Sequence, residues 1–247
     1  MADEKVREAE RRWRESGAIL DEAAYMRERI RTGGLTREQV ELAAHWGHEG
    51  AELCLGLSPL AQRLHETHSI AVLDHIAQGL ARWPRETCLR AVIALFRRLW
   101  PTGFAPSPQL RAAMLRAHAV LSGLPIPFEA DPAPRVRADQ GADQHVRQFL
   151  EGQASRLSRA CRPDRENWRL DLGAIFDALP GLDLTGPGGI PEEALQSLIM
   201  RMPSIKTVVG AATWHLIFTV GQDVADWALG YGDRTSDIAG LLGSTHD

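Results

Sequence analysis

The chain has 247 residues, 44% of them hydrophobic and 24% charged, with a formal net charge of −4 at pH 7. A chain of this length buries roughly three quarters of its unfolded surface, so packing alone can stabilise one large core or two smaller ones. The slightly acidic balance supplies no general field that would draw the protein to nucleic acid or to an anionic membrane, and neither is expected as a partner.

Cys54, Cys88 and Cys161 stand far apart without a CxxC pair, which argues for reduced thiols and against a zinc ribbon or a thioredoxin-like motif. The opening MADEKVREAERRWRE is charged throughout and has no apolar h-region, so no secretory signal is read there. Thr207 to Val220 (TVVGAATWHLIFTV) is the most apolar run, and it is too short to span a bilayer. The expected location is the cytoplasm. Lys5 and Lys206 are the only lysines among 28 basic residues, a usage that fits a GC-rich bacterial genome.

Helical spacing dominates from the first residues onward. Residues 3–15 carry Val6, Ala9 and Trp13 on one stripe, and residues 18–31 carry Ile19, Ala23, Met26 and Ile30 on one face, predicting two helices paired as a hairpin. The Gly33-Gly34 pair stops the second. Thr36, with Gln39 three residues later, forms a capping box for a helix reaching about Trp46. Ser58-Pro59 and Ser107-Pro108 each place a cap before a proline at the first helical position. A helix over 67–82 buries Ile70, Leu73, Ala77 and Leu80 and turns His68 and His75 to solvent. Pro84 opens a helix over 85–99, with Leu89, Val92, Ile93, Phe96 and Leu99 inward and Arg90, Arg97 and Arg98 outward.

The proline-rich stretch over 123–142 has no helical period and is read as a loop or linker. It divides an N-terminal helical module, 1–122, from a C-terminal one, 143–247, expected to pack against the first. Beyond it come a polar helix near 143–160, a helix from about Asp164 to Leu179, the turn-rich PGLDLTGPGG, a short helix from Pro191 and a long one from Ser204. In that last helix Val209, Ala212, Leu216, Val220 and Trp227 keep one spacing while Val208, Ile217 and Phe218 widen it nearly all round, the mark of a helix enclosed by others. Alternating strand patterns are nearly absent, so the fold class is all-α with about ten helices.

Standard catalytic signatures are missing: there is no GxSxG, GxxxxGK[ST], HExxH or post-strand GxGxxG. The glycine-rich turn TGPGGI precedes a helix, but Glu192 and Glu193 already complement that helix end, so it reads as a loop. Two HxxH pairs remain, His45/His48 in HWGH and His65/His68 in HETH. Residues three apart can share a helix face, and imidazoles suit zinc, copper, nickel or iron. Glu41, Glu49, Glu52, Cys54, Glu66 and Asp74 could complete a site. A metal-dependent hydrolase or nuclease is therefore the alternative reading. Against it, His68 falls on the solvent side of its helix and Gly47 breaks the chain between His45 and His48. No metal, cofactor or catalytic residue is assigned, and His45 and His48 are expected to be replaceable at little cost.

Arg156, Arg159, Arg162, Arg165 and Arg169 recur at intervals near three, with Asp164, Glu166 and Asp171 interspersed. That pattern reads as a salt-bridged solvent face rather than a nucleic-acid surface. The seven tryptophans lack interleaved arginine clusters, so they read as packing residues.

Leu42 to Gly56, LAAHWGHEGAELCLG, resembles one ankyrin-type helix-turn-helix unit in which small alanines let the helices approach. Thr-Pro-Leu-His does not precede it, and no second copy follows at the roughly 33-residue repeat. A wider likeness rests on Leu35-Thr36, Leu42-Ala43-Ala44, Gly47-His48, Ala51 and Leu55-Gly56, on Trp83-Pro84-Arg85 to Ala91, and on Trp227-Ala228-Leu229-Gly230. In these the chain resembles helical-repeat-like proteins of high-GC bacteria, myxobacteria especially. The resemblance implies stacked antiparallel helix pairs, similar to HEAT or armadillo folds, that present an interaction surface. The function it implies is a non-catalytic scaffold or adaptor whose partner is another protein. A small regulatory or immunity-type subunit is a further possibility.

Overall fold

The computed structural model describes residues 2–65, 71–101, 104–124, 143–182, 184, 190–201, 208–234 and 238–242. Every regular element among them is helical, and none of those helices is long and apolar enough to cross a membrane. The chain divides into two compact units, one of Met1–His68 with Gly221–Asp233, the other of Ser69–Val220 with Arg234–Asp247. The division falls elsewhere than the proline-rich stretch, whose residues 125–142 lie outside the described residues.

In the first unit α1 (Ala2–Ser16) and α2 (Ile19–Thr32) form the expected hairpin. Ile19, read as part of the buried stripe, is instead 43% exposed, because it is the first residue of α2, at the hairpin tip beside the Gly17 turn. Gly33 ends α2 at φ 77°, a left-handed conformation that costs a glycine little and returns its N–H to the Ile30 carbonyl. Thr36 then starts α3 (Arg37–His45): its hydroxyl accepts the Gln39 N–H while the Gln39 side chain accepts the Thr36 N–H. Gly47, at φ 82°, turns the chain into α4 (Glu49–Leu55), and α5 (Leu60–His65) follows. Ala43, Ala44 and Ala51 lie fully buried where α3 and α4 pack, in one core with Met26, Leu35, Val40, Ala225 and Leu229.

The last two residues come from α12 (Val208–Leu229), whose turns from Gly221 onward belong to this unit. A Cβ on Gly221 would stand 2.5 Å from the Trp46 carbonyl oxygen. Only glycine lets that helix lie so close to the α3 end.

The second unit contains α6 (Ala71–Arg82), α7 (Arg85–Leu99), α8 (Pro108–Ser122), α9 (Asp143–Ala160), α10 (Trp168–Asp177), a 3-10 turn at Leu179–Gly181, α11 (Glu192–Arg201), the α12 residues up to Val220, and α13 (Ile238–Leu242). Helices beyond the expected ten are accounted for by short pieces such as α5 and α13, too brief to show a period. Helix α7 is more enclosed than an amphipathic pattern suggests, since Ala91, Ala94 and Leu95 are buried with Val92, Ile93 and Phe96.

Helices α8 and α9, which flank the proline-rich stretch in sequence, pack on each other within the second unit. Ser107 caps α8 by accepting the Leu110 N–H, and Glu151 of α9 accepts both the Ser107 N–H, at 2.8 Å, and its hydroxyl. In α6 the buried side chains are Val72, His75, Ile76 and Leu80, while Ala77 is exposed. The expectation that His75 faces solvent is overturned: α6 packs against both α7 and α10, and the face they cover lies about one residue round from the stripe of Leu73 and Ala77.

Candidate functional site

Of the HxxH histidines, His48 is the one whose surroundings the structure shows best. It is the N-cap of α4, and its Nδ1 accepts the Ala51 N–H at 3.3 Å. Because Nδ1 is the acceptor, the ring proton sits on Nε2, which lies 3.6 Å from Glu22 Oε1 of α2. Only 7% of His48 is exposed. Its ring lies 6.1 Å from that of Tyr231, and Trp13 stacks on both Tyr231 and Tyr25, at 5.0 and 5.3 Å. Gly50 brings α4 against the acid, since a Cβ there would meet Glu22 Oε2 at 2.5 Å.

Burial raises the Glu22 carboxyl above its ordinary value, with Tyr231 opposing and Asp226 and Glu49 adding to the rise. Burial likewise lowers His48, against the pull of Asp226. The pair therefore favours its uncharged members, as low polarity demands of ionisable groups without a strong partner. His48 is a capping and packing residue, a role that the expectation of cheap replacement did not include.

The other candidate ligands are spent similarly. His45 ends α3 and meets the Trp46 ring edge-on at 5.8 Å, on the far side of the Gly47 turn from His48. Glu52 is buried and receives Arg63 Nη2 at 2.9 Å; burial raises its carboxyl, and the arginine offsets part of that. Arg63 also donates to the Ser58 and Ala44 carbonyls, so Glu52 ties α4 to α5. Glu41 pairs with Arg37, and Asp74 is exposed on α6. His65 closes α5, but its side chain, with Glu66 and His68, lies outside the described residues, as does TGPGG of the glycine-rich turn. Among the described residues no group of three or more His, Cys, Asp or Glu is placed to hold a metal ion.

The cysteines are unpaired. Burial pushes the Cys88 and Cys161 thiols up to about 12 and raises Cys54 as well, so each stays protonated and a poor nucleophile at neutral pH.

A different site stands over the connection between α9 and α10. Arg159, Arg162, Asp164, Arg165, Glu166 and Asn167 line an open cleft of about 280 Å³. Helix α10 starts at Trp168 rather than near Asp164, because residues 161–167 form successive turns. Beneath the cleft Asp171 is buried, and its two oxygens accept separate arginine Nε–H groups: Oδ1 from Arg159 at 3.0 Å, Oδ2 from Arg165 at 2.8 Å. Burial alone would raise the Asp171 carboxyl, but the hydrogen bonds and charges of Arg165 and Arg159 outweigh it and hold the group below its ordinary value. Arg85 of α7 donates to the Ala160 and Arg162 carbonyls and so anchors the turn from below.

Sequence spacing drew attention to this arginine run and read it as a solvent face paired with acids. Two of its arginines do pair with Asp171, but that acid is interior, and Arg169 turns away to the Leu80 carbonyl and the Trp168 ring. The cleft itself had no sequence signal, since it depends on where the turn folds back. No protein-family model, curated protein or solved structure matches the chain.

Proposed function

We propose that this chain is a non-catalytic protein-interaction protein, a cytoplasmic scaffold or adaptor built from paired helices. The observation that carries the reading is the arginine cleft, an open, polar and partly cationic surface, with Leu170 of α10 next to it in sequence and 72% exposed. Arginine is among the residues enriched at partner surfaces and their hot spots. The resemblance to helical-repeat-like bacterial proteins supports the same reading, because stacked helix pairs there imply an interaction surface. On the other side, His48, Glu52 and Asp171 are each engaged in holding helices and turns in place.

The test is affinity capture from the native host with the wild-type chain and with an Arg162→Glu/Leu170→Asp variant. One protein is expected to co-purify stoichiometrically with the wild type and to be lost from the variant. Metal analysis of untagged protein supplies the opposing result. Stoichiometric zinc, iron or manganese that disappears from a folded His45/His48/His65/His68 quadruple glutamine variant would replace the scaffold reading with a metal-dependent hydrolase or nuclease.

A further inference from the structure

We infer that the cleft over the α9–α10 turn is a receptor for a single oxyanion, presented on a side chain of the partner protein as a phosphoryl group or a carboxylate. The inference rests on the protein-interaction reading and specifies what the partner must carry.

The geometry is that of a prearranged cationic fork. A guanidinium has five N–H donors in a fixed plane, and Arg159 and Arg165 each use Nε–H on the buried Asp171 carboxylate. Each guanidinium carries four further N–H donors on its Nη atoms, and the side chains remain 42% and 38% exposed where they line the cleft. Asp171 thus holds two arginines in register beneath the opening, which reduces the ordering a ligand must impose. Arg162 brings a third guanidinium from an exposed position on the turn, whose carbonyls Arg85 fixes. The Asn167 side chain lines the same cleft and makes no capping hydrogen bond to α10. Planar guanidinium pairs match the two oxygens of a carboxylate or a phosphoryl group.

The acids among the lining residues limit the size of the anion. Asp164 and Glu166 face the cleft, so its lining carries one more cation than anion, and the buried Asp171 neutralises a further charge below. A polyanionic strand would bring successive phosphates against those carboxylates, whereas one oxyanion can sit on the arginines between them. Nucleic-acid binding relies on many neutralised phosphates, and this surface does not provide them.

The test is calorimetric titration of the full chain at constant ionic strength with two blocked amino acids, N-acetyl-phosphoserine amide and N-acetyl-glutamate amide. One saturable site is expected, weakened about tenfold in Arg162→Gln and in Arg165→Gln, the loss that one charge-assisted hydrogen bond implies. Arg31→Gln, on the other unit, is the control and should change nothing. Tighter binding of the phosphoserine derivative identifies a phosphorylated partner; equal or tighter binding of the glutamate derivative identifies an acidic segment. Absence of a saturable heat with both, or binding indifferent to Arg162→Gln, overturns the inference. So does a short single-stranded oligonucleotide that binds through Arg162 while neither small oxyanion does. If neither oxyanion binds yet the captured partner still co-purifies, the inference alone fails; if the oxyanion binds and no partner is captured, the protein-interaction reading fails, and with it the assignment of the oxyanion to a partner protein.

Discussion

Glu22 and Asp171 are both acids held among helices, one in each unit, and their surroundings push them in opposite directions. Glu22 faces a neutral histidine and a tyrosine, and burial raises its carboxyl. Asp171 receives two guanidinium groups, which more than cancel the same burial effect and lower it. Cations are not missing from the first cluster: Arg29 lies 5.5 Å from the Tyr25 ring, but its guanidinium bonds to the Leu229 and Gly34 carbonyls instead. The comparison teaches that burial alone does not set the direction in which an acid is shifted, because the donors aimed at it decide. The Glu22 cluster includes stacked rings, whereas the Asp171 cluster opens on a solvent cleft. One is built for packing and the other for a ligand.

The largest expected effect breaks the enclosed side of this comparison. Gly221→Ala would drive a Cβ into the Trp46 backbone, which cannot yield as a side chain can. A loss of about 1–3 kcal/mol in urea unfolding is expected. Gly50→Ala meets only the mobile end of Glu22 and should cost less. A Gly221→Ala protein as stable as the wild type would show that α12 is not seated against Trp46.

Asp171→Ala tests the open side. Removing an acceptor of two charge-assisted hydrogen bonds should cost about 1.5–3 kcal/mol, toward the lower figure because the arginines keep contact with water. Hydrogen exchange should rise at residues 161–167 and stay unchanged in α1 and α2. A uniform rise across both units would argue against a local role.

His48→Ala removes the cap of α4, at a cost of about 1 kcal/mol by thermal denaturation, and His48→Asn should recover most of it because asparagine also caps. The same pair of variants sharpens the electrostatic contrast. His48 titrates lower in the folded chain than the ordinary 6.5. The unfolded chain therefore binds more protons, and the stability due to neutral His48 is present above about pH 6.5 and lost as pH falls toward the lowered folded value. Asp171, lowered in the fold, keeps its contribution until pH falls through the ordinary carboxylate range. Glu22, raised in the fold, acts with the opposite sign: it favours the folded chain at acid pH, and that contribution is lost as pH rises through its folded value. Between pH 7.5 and about 6 the wild type should lose stability, and His48→Asn should lose distinctly less. Identical slopes would remove His48 as the cause.

Arg162→Gln should show the smallest effect on stability, within about 0.5 kcal/mol, because the side chain is exposed and its anchored carbonyl is unchanged. A larger loss would mean that the guanidinium supports the fold instead of standing ready for a ligand.

What the sequence determined by itself is the set of structures closed within one or two helical turns. The all-α class, the Thr36–Gln39 box, the Ser107 cap, the Gly33 stop and the Gly47 turn could all be read directly, because each satisfies backbone groups lying a few residues away. The solvent-facing His75 is corrected by the structure, and the place of the division between units and the cap made by His48 had no sequence signal, for a shared reason. Each depended on which face a distant helix covers, and apolar spacing on α6 is compatible with two faces about one residue apart. Tertiary structure alone decided that Glu22 meets His48, that Arg29 reaches Leu229, and that Arg159 and Arg165 share Asp171. A buried charge takes whatever donor the packed helices deliver within hydrogen-bond reach, and that distance is set by chain segments up to 200 positions apart.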